Sequence, residues 1–276
     1  MPDARNAVRE AAQRLGDRTE AELLLAYVLD RPRSWLIAHA DDALDAAQLQ
    51  AYARVVERRA TGEPVAYIVG HRGFWSLDLE VTPATLIPRP ETELLVELAL
   101  ERLPRDAAAH VADLGTGSGA IALAIARERP HARIVATDVS ADALAVAQRN
   151  ALGHQLAHVS FLKGPWFIPL AGQRLDVVVS NPPYIESADP HLLEGDLRFE
   201  PRGALAAGAD GLDDIRRIVD GAGRHLRANG WLLLEHGWNQ GEAVRLLLRN
   251  AGFADIFTAR DIEDRERVSA GCWLGG

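Results

Sequence analysis

After about residue 108, strand-like and helix-like runs alternate to the end of the chain, and this alternation constrains the fold more than any other feature. HVADLG (110–115), RIVATD (133–138), HVSFLKG (158–164), LDVVVSN (175–181) and GWLLLEHG (230–237) read as strands. SGAIALAIARE (118–128), SADALAVAQRN (140–150), LDDIRRIVDGAGRHL (212–226) and QGEAVRLLLRNA (240–251) read as helices, and two further strands follow at 255–260 and 267–274. Such alternation predicts an α/β fold with a mostly parallel sheet covered on both faces. Ligands of these sheets bind at the carboxyl ends of the strands, near the point where strand order reverses. The chemistry-bearing motifs of this chain all fall at such ends.

The first part of the chain differs. Residues 4–60 read as helices. TEAELLLAYVL (19–29) opens on a candidate capping residue, Thr19, and DAAQLQAYARVVERRA (45–60) places Leu49, Tyr52, Val55 and Val56 on one face. AYIVGHRGFWSLDLEV (66–81) reads as two β-rich runs flanking HRG, a hairpin. TPATLIPRPETE then forms a proline-rich link into a helix near Glu91. Two domains are expected: 1–82, helical and ending in the hairpin, and 83–276, the sheet.

Composition narrows the function classes. The net charge of −9 counts against a dedicated duplex-DNA binder. Residues 1–62 carry 9 Arg against 10 Asp plus Glu, so the helical part is not a basic recognition module. No apolar run approaches the ~18 residues of a membrane span. The N-terminal MPDARNAVREAAQ lacks the apolar core of an export signal. The single cysteine, Cys272, allows no intrachain disulfide and fits a reducing cytoplasm.

ADLGTGSGAIA holds Gly115, Gly117 and Gly119 between a strand and a helix. Glycine permits a sharp turn and close approach of a ligand, and the helix start offers free N–H groups. Asp138 ends the next strand, 23 residues after Gly115, where an acid can accept from both ribose hydroxyls. The unit therefore reads as a nucleoside site. It also fits the dinucleotide pattern G-x-G-x-x-A, and the turn alone does not decide between NAD and a methyl-donor nucleoside.

The strand LDVVVSN runs into Asn181-Pro182-Pro183-Tyr184. Prolines carry no N–H and fix their φ angles, so this loop presents rigid carbonyl acceptors without competing donors. Asn181 adds a side-chain carbonyl and Tyr184 a flat face. The natural guest is a planar NH₂, either an amide or an exocyclic base amine. Such a nitrogen is a poor nucleophile, and acceptors on both N–H groups would aim its lone pair at an in-line methyl. The histidines show no metal-binding spacing, so no metal is expected. Ser118 lies at a helix start and matches no nucleophile elbow.

On FWSLDLEV, ATLIPRPETE, DLGTGSGAIALA, SNPPYI, RFEP and LLLEHGWNQGEAV, the chain resembles the HemK/PrmC family over nearly its whole length. These are peptide chain release factor glutamine N5-methyltransferases, which modify the glutamine of a Gly-Gly-Gln motif in class I release factors. The resemblance implies a helical N-terminal domain for substrate recognition, a hairpin linker and a seven-stranded, Rossmann-like class I methyltransferase domain. It implies S-adenosylmethionine at Gly115, Thr116, Gly117, Ser118, Gly119, Asp138, Trp166 and Asn181. The substrate amide is placed against Asn181, Pro182, Pro183 and Tyr184, with Asn181, Pro182 and Tyr184 as the catalytic group. It also implies a cytoplasmic monomer whose partner is the release factor, with no direct nucleic acid and no membrane. The family often reads Asp-Trp where this chain has Pro165-Trp166; a proline cannot accept a bond from the adenine amine.

From Tyr184 to Glu200 the acids Glu186, Asp189, Glu194, Asp196 and Glu200 face Arg198 alone. This long segment, expected to lack regular structure, reads as an acidic mouth that welcomes a basic loop. The main rival is an amino-methyltransferase acting on a DNA or RNA base, which would use the same clamp but should add a basic module. An NAD-dependent oxidoreductase leaves Asn-Pro-Pro-Tyr without a task. A non-catalytic nucleoside-binding module is disfavoured by the intact Gly115, Asp138 and Asn181.

Overall fold

A computed structural model describes residues 2–275. They form two compact units: one runs to His71 and includes Gly195–Phe199; the other comprises Arg72–Glu194 and the chain from Glu200 onward.

The first unit is helical, with α1 (Ala4–Leu15), α2 (Arg18–Leu29), a short α3 (Trp35–Ala38), α4 (Ala46–Ala60) and α5 (Val65–Val69). Leu24, Leu25, Tyr52, Val55, Val56 and Ile68 pack into its core. The Tyr52 hydroxyl, buried with them, donates to the Ala21 carbonyl at 2.8 Å. Helix α2 is capped by Asp17 rather than Thr19: the Asp17 carboxylate accepts from the N–H groups of Thr19 (2.6 Å) and Glu20 (3.1 Å). Asp45 and Gln48 form a reciprocal capping box on α4. The run AYIV, expected as a strand, is helix α5. Pro64 precedes its first residue and Gly70 closes it at φ 82°. Segment 195–199 packs here through Arg59, which binds both Glu20 (2.7 Å) and Asp196 (2.9 Å).

The hairpin exists, but HRG lies inside its first strand: β1 (His71–Phe74) pairs with β2 (Leu77–Glu80). Phe74, Leu77 and Leu79 are buried in the core of the sheet unit, so the division between units falls at His71/Arg72, ahead of the expected 82.

The sheet unit continues with α6 (Glu93–Glu101), β3 (His110–Leu114), α7 (Ala120–Glu128), β4 (Arg133–Asp138), α8 (Ala141–Gly153), β5 (Ser160–Lys163) and β6 (Leu175–Ser180). Then come α9 (Asp213–Ala222), β7 (Leu226–Glu235), α10 (Gly241–Asn250), β8 (Ala254–Arg260) and β9 (Glu266–Trp273). Helix α9 stops earlier than expected, because Leu226 already pairs with Leu175 of β6. Among the described residues the seven strands order as β5-β4-β3-β6-β7-β9-β8, parallel except for β9, which is antiparallel to β7 and β8.

The α/β class expected from the alternation, and the Rossmann-like domain that the resemblance implied, are thus the fold found. Side chains alternate between two cores, as the pleat requires. Val111, Ile134, Val177, Val179 and Leu233 face one core, with α6 and α7. Ala112, Leu114, Val178, Leu232 and Leu234 face the other, with α9 and α10. Strands buried on both faces explain the near-continuous apolar runs in the sequence.

Segment 185–211 is not structureless. It folds into three short 3₁₀ turns, Pro190–Leu193, Gly195–Phe199 and Arg202–Ala204, with a bridge between Ile185 and Ala206.

Candidate active site

Strand register brings the motifs together. Asp113 of β3 lies opposite Val179 of β6, so two positions further on Gly115 falls opposite Asn181. Leu114 pairs with Thr137 of β4, which puts Asp138 on the other flank of Gly115. Ser180 pairs with Leu234 of β7, which puts Glu235 beside Asn181. Asp138, Gly115, Asn181 and Glu235 therefore form one row across four adjacent carboxyl ends, with neighbouring strands about 4.8 Å apart. Strand order reverses at β3, so the row spans the switch-point crevice. The Ser180 hydroxyl donates to the Leu114 carbonyl at 2.6 Å and fastens the ends of β3 and β6.

The glycine turn is held from below. The N–H groups of Gly115 and Thr116 both donate to the Thr137 carbonyl, at 2.8 and 3.0 Å. The fully buried Asp113 accepts from the Thr116 hydroxyl (2.7 Å) and the Ala122 N–H (3.2 Å). Burial pushes the Asp113 carboxyl up to about 7, against the pull of those two bonds, and the charge of Asp138 adds to the rise. Asp138 accepts from Gly117 N–H (3.0 Å) on Oδ2 and from Ser140 N–H (2.9 Å) on Oδ1. Each of its oxygens keeps a lone pair for a ligand hydroxyl.

Gly115 takes φ 75°, and a Cβ there would come within 3.3 Å of the Trp166 ring. A side chain would fill the space between turn and indole, so Gly115 and Trp166 line a cradle at the end of β3. Trp166 itself has φ 47° and is held by the Thr137 hydroxyl, which donates to its carbonyl at 3.1 Å. Pro165, next to it, is exposed. These residues fit a nucleoside-bearing cofactor such as S-adenosylmethionine.

In the Asn-Pro-Pro-Tyr loop, Pro182 and Pro183 are buried, while Asn181 and Tyr184 are half-buried. Asn181 Nδ2 donates to the hydroxyl oxygen of the buried Thr92, at 3.2 Å. With Nδ2 turned to Thr92 by one of its two hydrogens, Asn181 carries Oδ1 on its other side as an acceptor. Among the described residues no donor is bonded to that oxygen or to the Pro182 carbonyl. The Tyr184 hydroxyl donates to Glu235 Oε1 at 3.3 Å, and the Tyr184 carbonyl accepts from Gln240 Nε2 at 3.0 Å. The tyrosine is anchored at both ends. Its phenol pKa is raised, by burial first and by the Glu235 charge second.

Glu235, 1% exposed, has its carboxyl raised to about 7 by burial. The neighbouring Thr92, the charge of Arg267 and the hydrogen bond from Tyr184 oppose that rise, while Glu91 reinforces it.

The expected acidic mouth is reduced. Glu200 is buried, accepts from the Ile87 N–H at 3.0 Å and pairs with Arg89, so it pins the Ile-Pro-Arg-Pro link. Asp196 is bound by Arg59 and Asp189 by His191. Glu186 and Glu194 remain exposed. Asp113, Thr92, Glu235 and Gln240 were not anticipated. A buried acid closing the apolar run of Leu232–Leu234 was the available signal for Glu235. Among the described residues no group of three or more His, Cys, Asp or Glu is arranged to hold a metal, and no helix is long and apolar enough to cross a membrane.

Comparison with known proteins adds sequence and fold relatives. Residues 6–70 match the PrmC N-terminal domain family, and residues 92–194 the methyltransferase small domain family. A release factor glutamine methyltransferase of Xylella fastidiosa (strain Temecula1) is 55% identical over 98% of this chain and 98% of its own length. One from Escherichia coli (strain K12) is 48% identical over 97% and 96%. Among solved structures, the T. thermophilus 16S rRNA N2 G1207 methyltransferase, in complex with AdoMet and guanosine, aligns with a TM-score of 0.56 at 20% identity. It covers 73% of this chain and 49% of that one, a likeness of fold.

Proposed function

The chain belongs to the release factor glutamine methyltransferase family, and from that premise we propose that it methylates the side-chain amide nitrogen of the glutamine in the Gly-Gly-Gln motif of class I release factors, using S-adenosylmethionine. It is a protein-glutamine methyltransferase. When bound, the cofactor supplies an electrophilic methyl group. Asp138, Gly115–Gly119 and Trp166 would hold it, and Asn181 would border both cofactor and substrate.

The observation that carries the reading is the polarity of Asn181. One of its two Nδ2 hydrogens is given to Thr92, which supports a reading in which Oδ1, together with the Pro182 carbonyl, serves as an acceptor one strand away from the glycine turn. Two acceptors fit the two hydrogens of an amide NH₂. They aim the nitrogen lone pair and favour pyramidal nitrogen, which is the geometry of attack. A carboxylate would offer no hydrogen and would bring negative charge against the same oxygens. The rigid prolines hold these acceptors in place before the substrate arrives. The helical unit, which runs to His71, would recognise the protein substrate. Mass spectrometry of a purified release factor after incubation with methyl-labelled cofactor tests this: the label should sit on the glutamine of Gly-Gly-Gln, and label on any other residue would contradict it.

A further inference from the structure

Gln240 stands at the N-cap of α10, a place where a side chain usually accepts from the free N–H groups of its own helix. It makes no such bond. Its side chain is 9% exposed and is spent on three main-chain groups outside the helix. Oε1 accepts from the Gly237 N–H at 2.8 Å. Nε2 donates to the Tyr184 carbonyl at 3.0 Å and to the Asp210 carbonyl at 3.3 Å. One of these groups can only donate and two can only accept, so the cluster fits an amide and fixes which way it points. A carboxylate would set charge against two carbonyl oxygens. An apolar side chain would leave all three groups unpaired.

The Tyr184 carbonyl ends the Asn-Pro-Pro-Tyr loop. Pro182 and Pro183 have no N–H to donate. Among the described residues, the bond from Gln240 is the only hydrogen bond made by the main chain of 182–184. Side chains supply the rest: Asn181 donates to Thr92, and Tyr184 donates to Glu235. Gly211 encloses the same carbonyl from another side. It takes φ 71°, and a Cβ there would collide with the Tyr184 oxygen and crowd Gln240 Nε2. Just beyond, the Ile185 N–H donates to the Leu205 carbonyl (2.9 Å) and the Ser187 N–H to the Gly208 carbonyl (2.8 Å). The two ends of segment 185–211 are thus joined beside this amide.

We propose that Gln240 is a positioning residue for methyl transfer: its amide fastens the C-terminal end of the Asn-Pro-Pro-Tyr loop and so holds the acceptors of Asn181 and Pro182 where the substrate NH₂ must meet them. The inference rests on the reading that this loop receives a glutamine amide. Gln240 acts through the loop and not on the glycine turn, so its loss should lower kcat and leave S-adenosylmethionine binding unchanged. Misplacing a reacting group by about 1 Å costs up to ~10²-fold in rate.

The test uses the full-length chain with Gln240→Met, Gln240→Glu and Gly211→Ala. Gln240→Met keeps a similar volume without an amide, and its kcat on the release factor should fall by about tenfold to 10²-fold. Its S-adenosylmethionine affinity, measured by calorimetry, should stay at the wild-type value. Gln240→Glu adds a readout that packing would not move. Ionised, it has no hydrogen to donate; protonated, it donates one to a carbonyl and still accepts from Gly237. Burial raises such a carboxyl, to roughly 8–9 in strongly buried cases. Its kcat relative to wild type should therefore be lowest at pH ~9.5 and recover toward pH ~6.5, while the Gln240→Met ratio stays level. Gly211→Ala displaces the same carbonyl, so combining it with Gln240→Met should cost less than the two losses multiplied. Without any substrate, hydrogen exchange at the Ile185 and Ser187 amides should quicken by about tenfold in Gln240→Met, as the end of the loop loosens.

Wild-type kcat in a folded Gln240→Met, or a level pH ratio in a folded Gln240→Glu, overturns the inference. So does a loss of cofactor affinity equal to the loss of kcat, which marks a general disturbance of the fold. If one of the two variants at 240 does not fold, the other decides. Failure of the wild-type chain to methylate the release factor would instead remove the functional reading. The exchange rates at Ile185 and Ser187 would still test the hold on the loop, and wild-type exchange in Gln240→Met would overturn it.

Discussion

Asn181 is set by a bond it gives away: donating Nδ2 to Thr92 leaves Oδ1 as the acceptor at the end of β6. Asn181→Ala removes that acceptor, and kcat for methylation should drop by at least ~10²-fold, by analogy with the loss of one oxyanion-hole partner. Steady-state kinetics on a folded variant checks this; an unchanged kcat would exclude the clamp. Asp138 is a different case, since both its oxygens already brace backbone N–H groups of the turn and of α8. Asp138→Ala should weaken S-adenosylmethionine binding by roughly 1.5–3 kcal/mol, the range of a charge-assisted hydrogen bond. Calorimetry giving wild-type affinity would remove Asp138 from the site. The glycines, Asp138 and Asn-Pro-Pro-Tyr were legible in the sequence because turn chemistry is local. Thr92 and Glu235 were not, because what matters about them is where strand register and the Ile-Pro-Arg-Pro link deliver them.

At the scale of elements, β3 and β7 each bring a buried acid to the carboxyl edge of the sheet. Asp113 and Glu235 are each raised to about 7, from ordinary values of 3.8 and 4.5, with burial as the leading cause. A raised acid binds more protons folded than unfolded, so its contribution to stability declines as pH rises from the unfolded value to the folded one, and is level above it. This pair should therefore lower stability between about pH 4 and pH 7. In Asp113→Asn and Glu235→Gln, the drop in melting temperature between pH ~5 and pH ~8 should be smaller than in the wild type, as linkage requires. An equal or steeper drop would contradict the assigned protonation. The strand–helix alternation was readable because two-sided burial writes itself into apolar runs. Ala66–Val69 was misread because a short apolar run does not distinguish strand from helix; Pro64 and Gly70 decide it. The acidic character of 185–200 was readable too, but pairing consumed part of it: Glu200 goes to Arg89 and Ile87, and Asp196 to Arg59.

For the molecule as a whole, the two units divide the work as we propose it: the sheet unit holds cofactor and clamp, and the helical unit recognises the protein. A chain beginning at Arg72 retains the hairpin whose Phe74, Leu77 and Leu79 complete the sheet-unit core. Beginning near residue 83, as the sequence alone suggested, would open that core. The Arg72 form should bind S-adenosylmethionine as the full chain does, while its kcat/KM on intact release factor falls by about tenfold or more, as expected when remote binding contacts are lost. Full activity in that form would assign the helical unit another task. The sequence also left a rival open, a base amino-methyltransferase, because an exocyclic base amine resembles an amide NH₂. The clamp alone does not separate them; the −9 net charge and the lack of a basic excess in residues 1–62 count against the base. The most direct measurement is a side-by-side assay of methyl transfer to a class I release factor, to its Gln→Glu variant and to DNA. The account predicts transfer to the intact release factor only, on the glutamine of its Gly-Gly-Gln motif. Transfer to DNA at a comparable rate, or to the Gly-Gly-Glu form, would contradict it.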